Sequence, residues 1–141
     1  MKNNIVKVAK SIMITSLLVT SLCATEKYTK ADRIKDMLTM ADAMQNIQKG
    51  ILFRNDDNKM IKSGIKDIRR VLHTIQEVEA KDFLDEKQLY ANKFAKKTGI
   101  LLEMYIHEME QEMMQGNGDE VIHNYYLALR QCTSCHLRLR K

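Results

Sequence analysis

The chain of 141 residues contains no proline, and this absence constrains its fold more than any other feature. Proline interrupts helices, because it lacks a main-chain N–H and its ring collides with the preceding turn. Only five glycines are present, so few positions favour left-handed turns. Methionine, leucine, lysine, glutamate, glutamine and alanine are abundant, and all of them favour helix. The sequence therefore predicts an all-α fold with short connections.

Four stretches of the chain repeat their apolar residues every three or four positions, as helices with one buried face do. The predicted helices cover residues 29–53, 59–79, 86–115 and 119–141. Four helices of this kind bury their apolar faces by packing as an antiparallel up-down-up-down bundle. Such a bundle brings the start of the first helix, near residue 37, to the end of the fourth, near residue 136.

Five residues form the predicted inward face of each helix. They are Met37, Met40, Met44, Ile47 and Ile51; Ile61, Ile65, Ile68, Leu72 and Ile75; Phe94, Thr98, Leu101, Tyr105 and Met109; and Ile122, Tyr125, Leu129, Cys132 and His136.

Several predicted helix ends carry residues suited to capping. Thr29, with Asp32 three residues later, resembles a capping box. Asn and Asp within 54–58 suit the start of the second helix. Gly116 suits the left-handed conformation that closes a helix, and Asp119 suits the cap of the fourth.

The first residues have the pattern of an export signal. Three lysines precede the apolar run 11–22, which is followed by small residues near Cys23 and Ala24. The run is shorter than the ~20 residues of a membrane-spanning helix. The sequence therefore predicts a signal peptide at 1–24, a bundle domain at 25–141, a periplasmic location and no membrane segment after processing. Lipid attachment at Cys23 is disfavoured, because the bulky Leu22 stands where lipoprotein signals have a small residue.

The charge of the chain argues against a nucleic-acid partner. The formal net charge is +5. Removing residues 1–24 takes away three lysines and no acid, which leaves 20 basic against 18 acidic residues and a net charge of +2. Nucleic-acid binding requires a concentrated basic patch. Only a small cluster remains near the chain end, at Arg138, Arg140 and Lys141, and it is typical of a solvated helix end.

Residues 132–136 read Cys-Thr-Ser-Cys-His, the attachment signal of c-type haem. On a helix, thiols three residues apart share a face, where each can form a thioether with a haem vinyl group while the adjacent imidazole points at the iron. A disulfide oxidoreductase would place its Cys-x-x-Cys at the start of a helix that follows a strand. The motif here lies near a helix end, and the sequence predicts no strand. A zinc site needs four ligands, but the other histidines, at positions 73, 107 and 123, have no matching Cys-x-x-Cys. Haem is therefore favoured over both.

An export signal, a four-helix pattern and Cys-x-x-Cys-His near the chain end together resemble the class II cytochromes c, the family of cytochrome c′ and its low-spin relatives. The resemblance implies a bundle with one haem c held by Cys132 and Cys135 through two thioethers, with His136 as an iron ligand. The family's arginine four residues before the distal position matches Arg33 and Met37. Its arginine four residues after the haem histidine matches Arg140. The resemblance thus implies Met37 as the second iron ligand, and Arg33 and Arg140 near the haem.

A methionine at the distal position implies an electron carrier rather than an enzyme, because sulfur and imidazole hold iron in both oxidation states. We expect redox proteins as partners, and the resemblance leaves room for a homodimer. Met40 lies on the same face as Met37 and is the alternative ligand. If neither binds, the family resemblance implies a five-coordinate haem that takes nitric oxide. A haem-free protein with an oxidised Cys132–Cys135 pair is the remaining alternative.

Overall fold

The computed structural model describes residues 28–53, 58–78 and 89–139. All of their regular structure is helical, with no strand in these ranges, which confirms the predicted all-α class. The predicted signal peptide, with Cys23, lies outside the described residues. The four helices are α1 (Lys30–Phe53), α2 (Lys59–Glu77), α3 (Leu89–Gln115) and α4 (Gly118–Leu139).

The predicted capping box at the start of α1 is confirmed. The main-chain N–H of Asp32 donates to Thr29 Oγ1 at 3.2 Å, and the main-chain N–H of Thr29 donates to Asp32 Oδ2 at 2.8 Å. The Thr29 hydroxyl also donates to that carboxylate oxygen, at 2.6 Å. Two main-chain donors that the first turn would leave without partners are thereby satisfied.

A tight turn joins α3 to α4, as the glycines there predict. Gly116 has φ 78°, a left-handed conformation that glycine adopts without steric cost. Its N–H donates to the carbonyl of Met113 at 3.3 Å, and that of Asn117 donates to the carbonyl of Glu112 at 2.9 Å. This pair of bonds is the Schellman closure of a helix, and α4 begins immediately afterwards.

Two predicted caps are wrong. Asp119 lies inside the first turn of α4, because the helix begins one residue earlier at Gly118; its carboxylate is still well placed beside the positive end of the helix dipole. Asn58 precedes α2 in a left-handed conformation, and its side chain makes no capping hydrogen bond. Short polar residues tolerate this conformation. Asn58 therefore supplies a left-handed residue before α2 instead of a side-chain cap.

Consecutive helices run antiparallel. In each pair of helices, a residue farther before the connection contacts a residue farther after it. Between α1 and α2 the contacting pairs are Gly50 with Ile61 and Ala43 with Gly64. Between α2 and α3 they are Leu72 with Gly99 and Arg69 with Glu103, and between α3 and α4 Phe94 contacts Arg138. Three successive reversals make α4 antiparallel to α1. The start of α1 therefore lies at the same end of the bundle as the end of α4, as predicted.

The four contacts between neighbouring helices are unequal in extent. α1 packs extensively on α2, and α3 on α4, whereas the contact of α2 with α3 is smaller and that of α1 with α4 is the smallest of these. The bundle is therefore two helical hairpins placed side by side. Among the described residues, none of the helices combines the length and the apolar character required to cross a membrane.

The buried faces of α1 and α2 follow the prediction, with Met37, Ile51 and Ile75 at the rim of the core. The predicted registers of α3 and α4 are partly wrong. In α3, Leu101 is only half-buried while Leu102 is buried, and in α4 Leu129 is exposed while Ala128 is buried. The buried apolar residues of these two helices are Ala91, Leu102, Ile106, Met109 and Met113, and Val121, Tyr125 and Ala128.

Candidate functional site

Two free thiols lie on the inner side of the last turns of α4. Cys132 and Cys135 are three residues apart, which places them on one side of the helix, and both are half-buried. Cys132 packs against the apolar core. Burial raises the pKa of both thiols above the ordinary value, because a low-dielectric surrounding disfavours the thiolate.

These neutral thiols argue against a disulfide oxidoreductase. The nucleophilic cysteine of such an enzyme has a lowered pKa, which a helix N-terminus or a nearby cation provides. Here both thiols lie near the end of α4, and their pKa values move in the opposite direction. The described residues hold no group of three or more His, Cys, Asp and Glu side chains that could bind a metal ion.

His136 follows Cys135 directly and is exposed, so its predicted place on the inward face of α4 is wrong. Its position four residues after Cys132 puts it on the same flank of α4 as that thiol. In the described part of the chain, its imidazole has neither a hydrogen-bond partner nor an ion-pair partner. Both ring nitrogens are therefore accessible, and a neutral imidazole is a good ligand for iron.

The start of α1 brings Arg33 and Met37 to the same end of the bundle as His136. Met37 is half-buried at the rim of the core, whereas Met40, one turn farther along, is buried. A side chain at the rim can reach a group placed beside the core without leaving a cavity inside it. Arg33 is half-buried one turn before Met37. Arg140, the other predicted arginine, lies outside the described residues.

The outer face of α4 carries a shallow apolar groove of about 540 Å³. It runs along the last four turns of the helix and ends at Arg138, whose guanidinium lies over the ring of Phe94 in α3 at 4.6 Å. Phe94 was predicted only as a core residue, and no local pattern signals this contact. The groove is lined by Tyr126, Leu129, Arg130, Thr133, Ser134, Leu137 and Arg138.

The donor set at this end fits a covalently attached haem. It combines two thiols on one side of a helix, an accessible imidazole beside them and a thioether across the smallest of the four helix contacts. From Val121 to Leu139, α4 contains no acidic residue, so no carboxylate of this segment opposes the anionic propionates of such a group.

Comparison with known proteins identifies no relative. No protein-family model, curated protein or solved structure matches this chain.

Proposed function

We propose that this chain is a periplasmic single-haem c-type cytochrome of the class II type, which carries one electron at a time between redox proteins. The observation that carries the proposal is the Cys132–Cys135–His136 group, with two free half-buried thiols and an exposed imidazole on one flank of α4. Bound haem c would supply the one-electron redox couple.

In this proposal each residue of the candidate site has a defined role. Cys132 and Cys135 would hold the haem covalently, each by addition of its S–H across a vinyl group, which consumes no oxidant. His136 would supply a nitrogen ligand to the iron. Met37 would supply a sulfur ligand from α1, and soft sulfur favours reduced iron and raises its potential. Arg33 lies on the same helix, one turn from Met37, where a guanidinium can bind an anionic propionate through paired hydrogen bonds.

The position of Met37 favours a carrier over a gas-binding protein. It is half-buried at the edge of the core, on the helix that faces α4 across the least extensive of the four helix contacts. A methionine at this place would hold the ligand position that an incoming gas would need. A gas-binding protein would instead keep Met37 packed against the core.

The test is the absorption spectrum of the exported chain after haem attachment has been verified under denaturation. We expect a low-spin spectrum with a methionine-to-ferric-iron charge-transfer band that is lost in Met37→Leu and kept in Met40→Leu. The two replacements are matched, because both nearly conserve side-chain volume.

Three other outcomes would change the proposal. Loss of the band only in Met40→Leu would move the ligand one turn along α1. A high-spin spectrum that shifts on addition of nitric oxide would establish the gas-binding alternative. Exported chain without attached haem, indistinguishable from Cys132→Ser/Cys135→Ser, would rule out a cytochrome.

A further inference from the structure

The charges of the hairpin formed by α3 and α4 are separated along its length. One half, residues 89–102 of α3 with 126–139 of α4, contains five lysine and arginine residues and no acidic residue. The other half, residues 103–115 with 118–125, contains six acidic residues and no lysine or arginine. We call these the basic half and the acidic half. The cations are Lys93, Lys96, Lys97, Arg130 and Arg138, and the acids are Glu103, Glu108, Glu110, Glu112, Asp119 and Glu120.

The basic half forms one continuous surface. The start of α3 lies beside the end of α4, where the guanidinium of Arg138 lies over the Phe94 ring at 4.6 Å. On α3, four exposed residues of the basic half are separated by three, four and three positions, so they share one face of the helix. In order along α3 they are Tyr90, Lys93, Lys97 and Ile100.

The stability of the fold does not explain the cations of the basic half. Lysines near the start of a helix oppose its dipole, and Lys93 and Lys97 are like charges four residues apart, which destabilise a helix. Within the described ranges, neither of these lysines nor Arg130 forms an ion pair. By contrast, Arg69 of α2 binds two carboxylates of the acidic half. An anionic partner outside the molecule would relieve the repulsion between the two lysines.

Large apolar side chains are exposed among these cations. Tyr90 is 73% exposed, Ile100 62% and Leu137 75%. On α4, Tyr126 and Leu129 line the apolar groove together with both arginines of the basic half. Contact of apolar side chains with water is unfavourable, so this surface is stabilised by a partner that accepts both cations and apolar groups.

This mixture of residues fits the surface of a phospholipid bilayer better than the surface of a second protein. The centre of a protein interface is depleted of charged residues, whereas here Lys93 and Lys97 lie between Tyr90 and Ile100 on one face. At a bilayer surface, cations contact the anionic headgroups while neighbouring apolar side chains enter the boundary between headgroups and acyl chains. Tyrosine suits that boundary, because its ring is apolar and its hydroxyl is polar.

The separation of charge also determines an orientation. An anionic surface attracts the basic half and repels the acidic half, which lies toward the turn between α3 and α4. The first hairpin adds little at the basic end. Residues 30–36 contain three cations and two acids, and residues 67–77 contain two of each apart from His73. The attraction is therefore concentrated on the second hairpin.

We propose that the basic half of the α3–α4 hairpin is a peripheral binding surface for bilayers that contain anionic phospholipids. Attraction of this kind is largely electrostatic, so the binding is reversible and weakens as salt rises. The proposal rests on the charges and exposed side chains of α3 and α4 and does not depend on haem attachment, so either proposal can fail without the other.

The experiment measures binding of the exported protein to lipid vesicles by flotation at about 0.05 M and about 0.5 M NaCl. One set of vesicles contains equal parts of phosphatidylglycerol and phosphatidylcholine, and the other contains phosphatidylcholine alone. We expect binding to the anionic vesicles at low salt, loss of most of this binding at high salt, and no binding to the neutral vesicles.

Two matched double variants test the cations. Each lysine near an anionic surface contributes about fivefold to binding, so Lys93→Gln/Lys97→Gln should lower the partition coefficient about 20-fold. Lys62→Gln/Lys66→Gln is the control, because it replaces two exposed lysines of α2 with the same spacing. The control should lower the coefficient less than about threefold.

A second pair of variants tests the apolar side chains. Ile100→Ser should lower the partition coefficient about threefold without a change in its dependence on salt, because it removes apolar contact but no charge. Leu52→Ser is the control, since Leu52 is 66% exposed near the end of α1, outside the basic half. That variant should bind as the parent protein does.

Several results would overturn the proposal. Absence of binding at low salt, equal binding to both sets of vesicles, or equal losses in the two lysine double variants excludes this surface. If vesicles do not bind and Lys93→Gln/Lys97→Gln loses affinity for an acidic redox protein, the surface belongs to that partner instead. Exported chain that lacks haem but binds anionic vesicles would support this proposal and refute the cytochrome. Circular dichroism of each variant verifies that the helices are formed.

Discussion

The main chain of Gly64 in α2 approaches Ala43 of α1 so closely that a β-carbon at residue 64 would lie 2.5 Å from the Ala43 carbonyl oxygen. The same β-carbon would lie 2.6 Å from Cγ1 of the fully buried Ile47. Only glycine allows the two helices to approach to this distance without a shift of the backbone. The α1–α2 hairpin is therefore closed around this contact.

Gly64→Ala should destabilise the protein by about 2 kcal/mol, because the overlap with backbone exceeds the helix-propensity gain of about 1 kcal/mol that alanine brings. Gly99→Ala is the control, since its β-carbon would meet only Leu72 at 3.7 Å. That variant should be neutral or slightly more stable. Urea unfolding followed by circular dichroism measures both, and equal effects would refute the close contact.

Arg69→Met should lower stability by about 1 kcal/mol, because it removes the α2 cation that binds Glu103 and Glu110 on α3. The effect is small because the Arg69 side chain is 35% exposed and water screens the ion pair. Arg70→Met removes an exposed ion pair with Asp67 at 3.3 Å and should change stability little. The difference between the two variants should shrink in high salt. A difference that is absent at low salt would show that Arg69 does not join the hairpins.

Asp32→Asn should remove part of the acid sensitivity of the fold. The hydroxyl and N–H of Thr29 donate to the Asp32 carboxylate and lower its pKa below the ordinary value. The unfolded chain then binds more protons, so the stabilisation is present above pH of about 4 and is lost as pH falls through the folded-state pKa.

Urea unfolding between about pH 6 and about pH 2 measures this effect. The variant should approach the parent protein in stability as pH falls. Thr29→Ala keeps the carboxylate and the main-chain donor, so it should retain part of the pH dependence. If the difference between parent and Asp32→Asn is constant with pH, the capping box is not the cause.

Cys132 and Cys135 should react slowly with iodoacetamide at pH 8 in haem-free folded chain, because burial raises the pKa of both thiols and depletes the thiolate. Unfolding in urea should accelerate the reaction. In chain that carries haem, both sulfurs are thioethers, so neither should be alkylated even in urea. Mass spectrometry reads out both states, and alkylation of both cysteines in unfolded exported protein would contradict haem attachment.

The first hairpin was predictable from the sequence because its signals are strong. Isoleucines at regular spacing define the inner face of α2, and the Thr29–Asp32 pair marks where α1 begins. Aliphatic residues on one face leave a single register that buries them. The structure confirms this face for all four of the predicted isoleucines, with Ile75 at its edge.

The second hairpin was less predictable because α3 and α4 carry apolar residues on more than one face. Leu101 and Leu102 are consecutive, and only packing against the other helices decides that Leu102 is the buried one. In α4 the small Ala128 is buried while Leu129 is exposed, which hydrophobicity alone would rank the other way. A small residue permits close approach of helices, and that benefit is set by the neighbouring helix rather than by the local sequence.

The α4 side of the candidate site was predictable from the sequence, and the α1 side less so. Cys132, Cys135 and His136 lie within one five-residue motif, and the spacing within that motif indicates haem attachment. Met37 and Met40 share a face, and their different burial follows from the position of α1 against the other helices. The contact of Arg138 with Phe94 joins residues 44 positions apart, and no local pattern encodes it.

The unequal packing of the bundle predicts an order of folding. Each hairpin closes over a short connection, so we expect its contacts, which are local in sequence, to form before the two hairpins dock. We expect the boundary between α1 and α4 to form last and to open first, with the fastest amide exchange there. Cys132 packs against the core that both hairpins share, so we expect its thiol to stay accessible to solvent until the two hairpins dock.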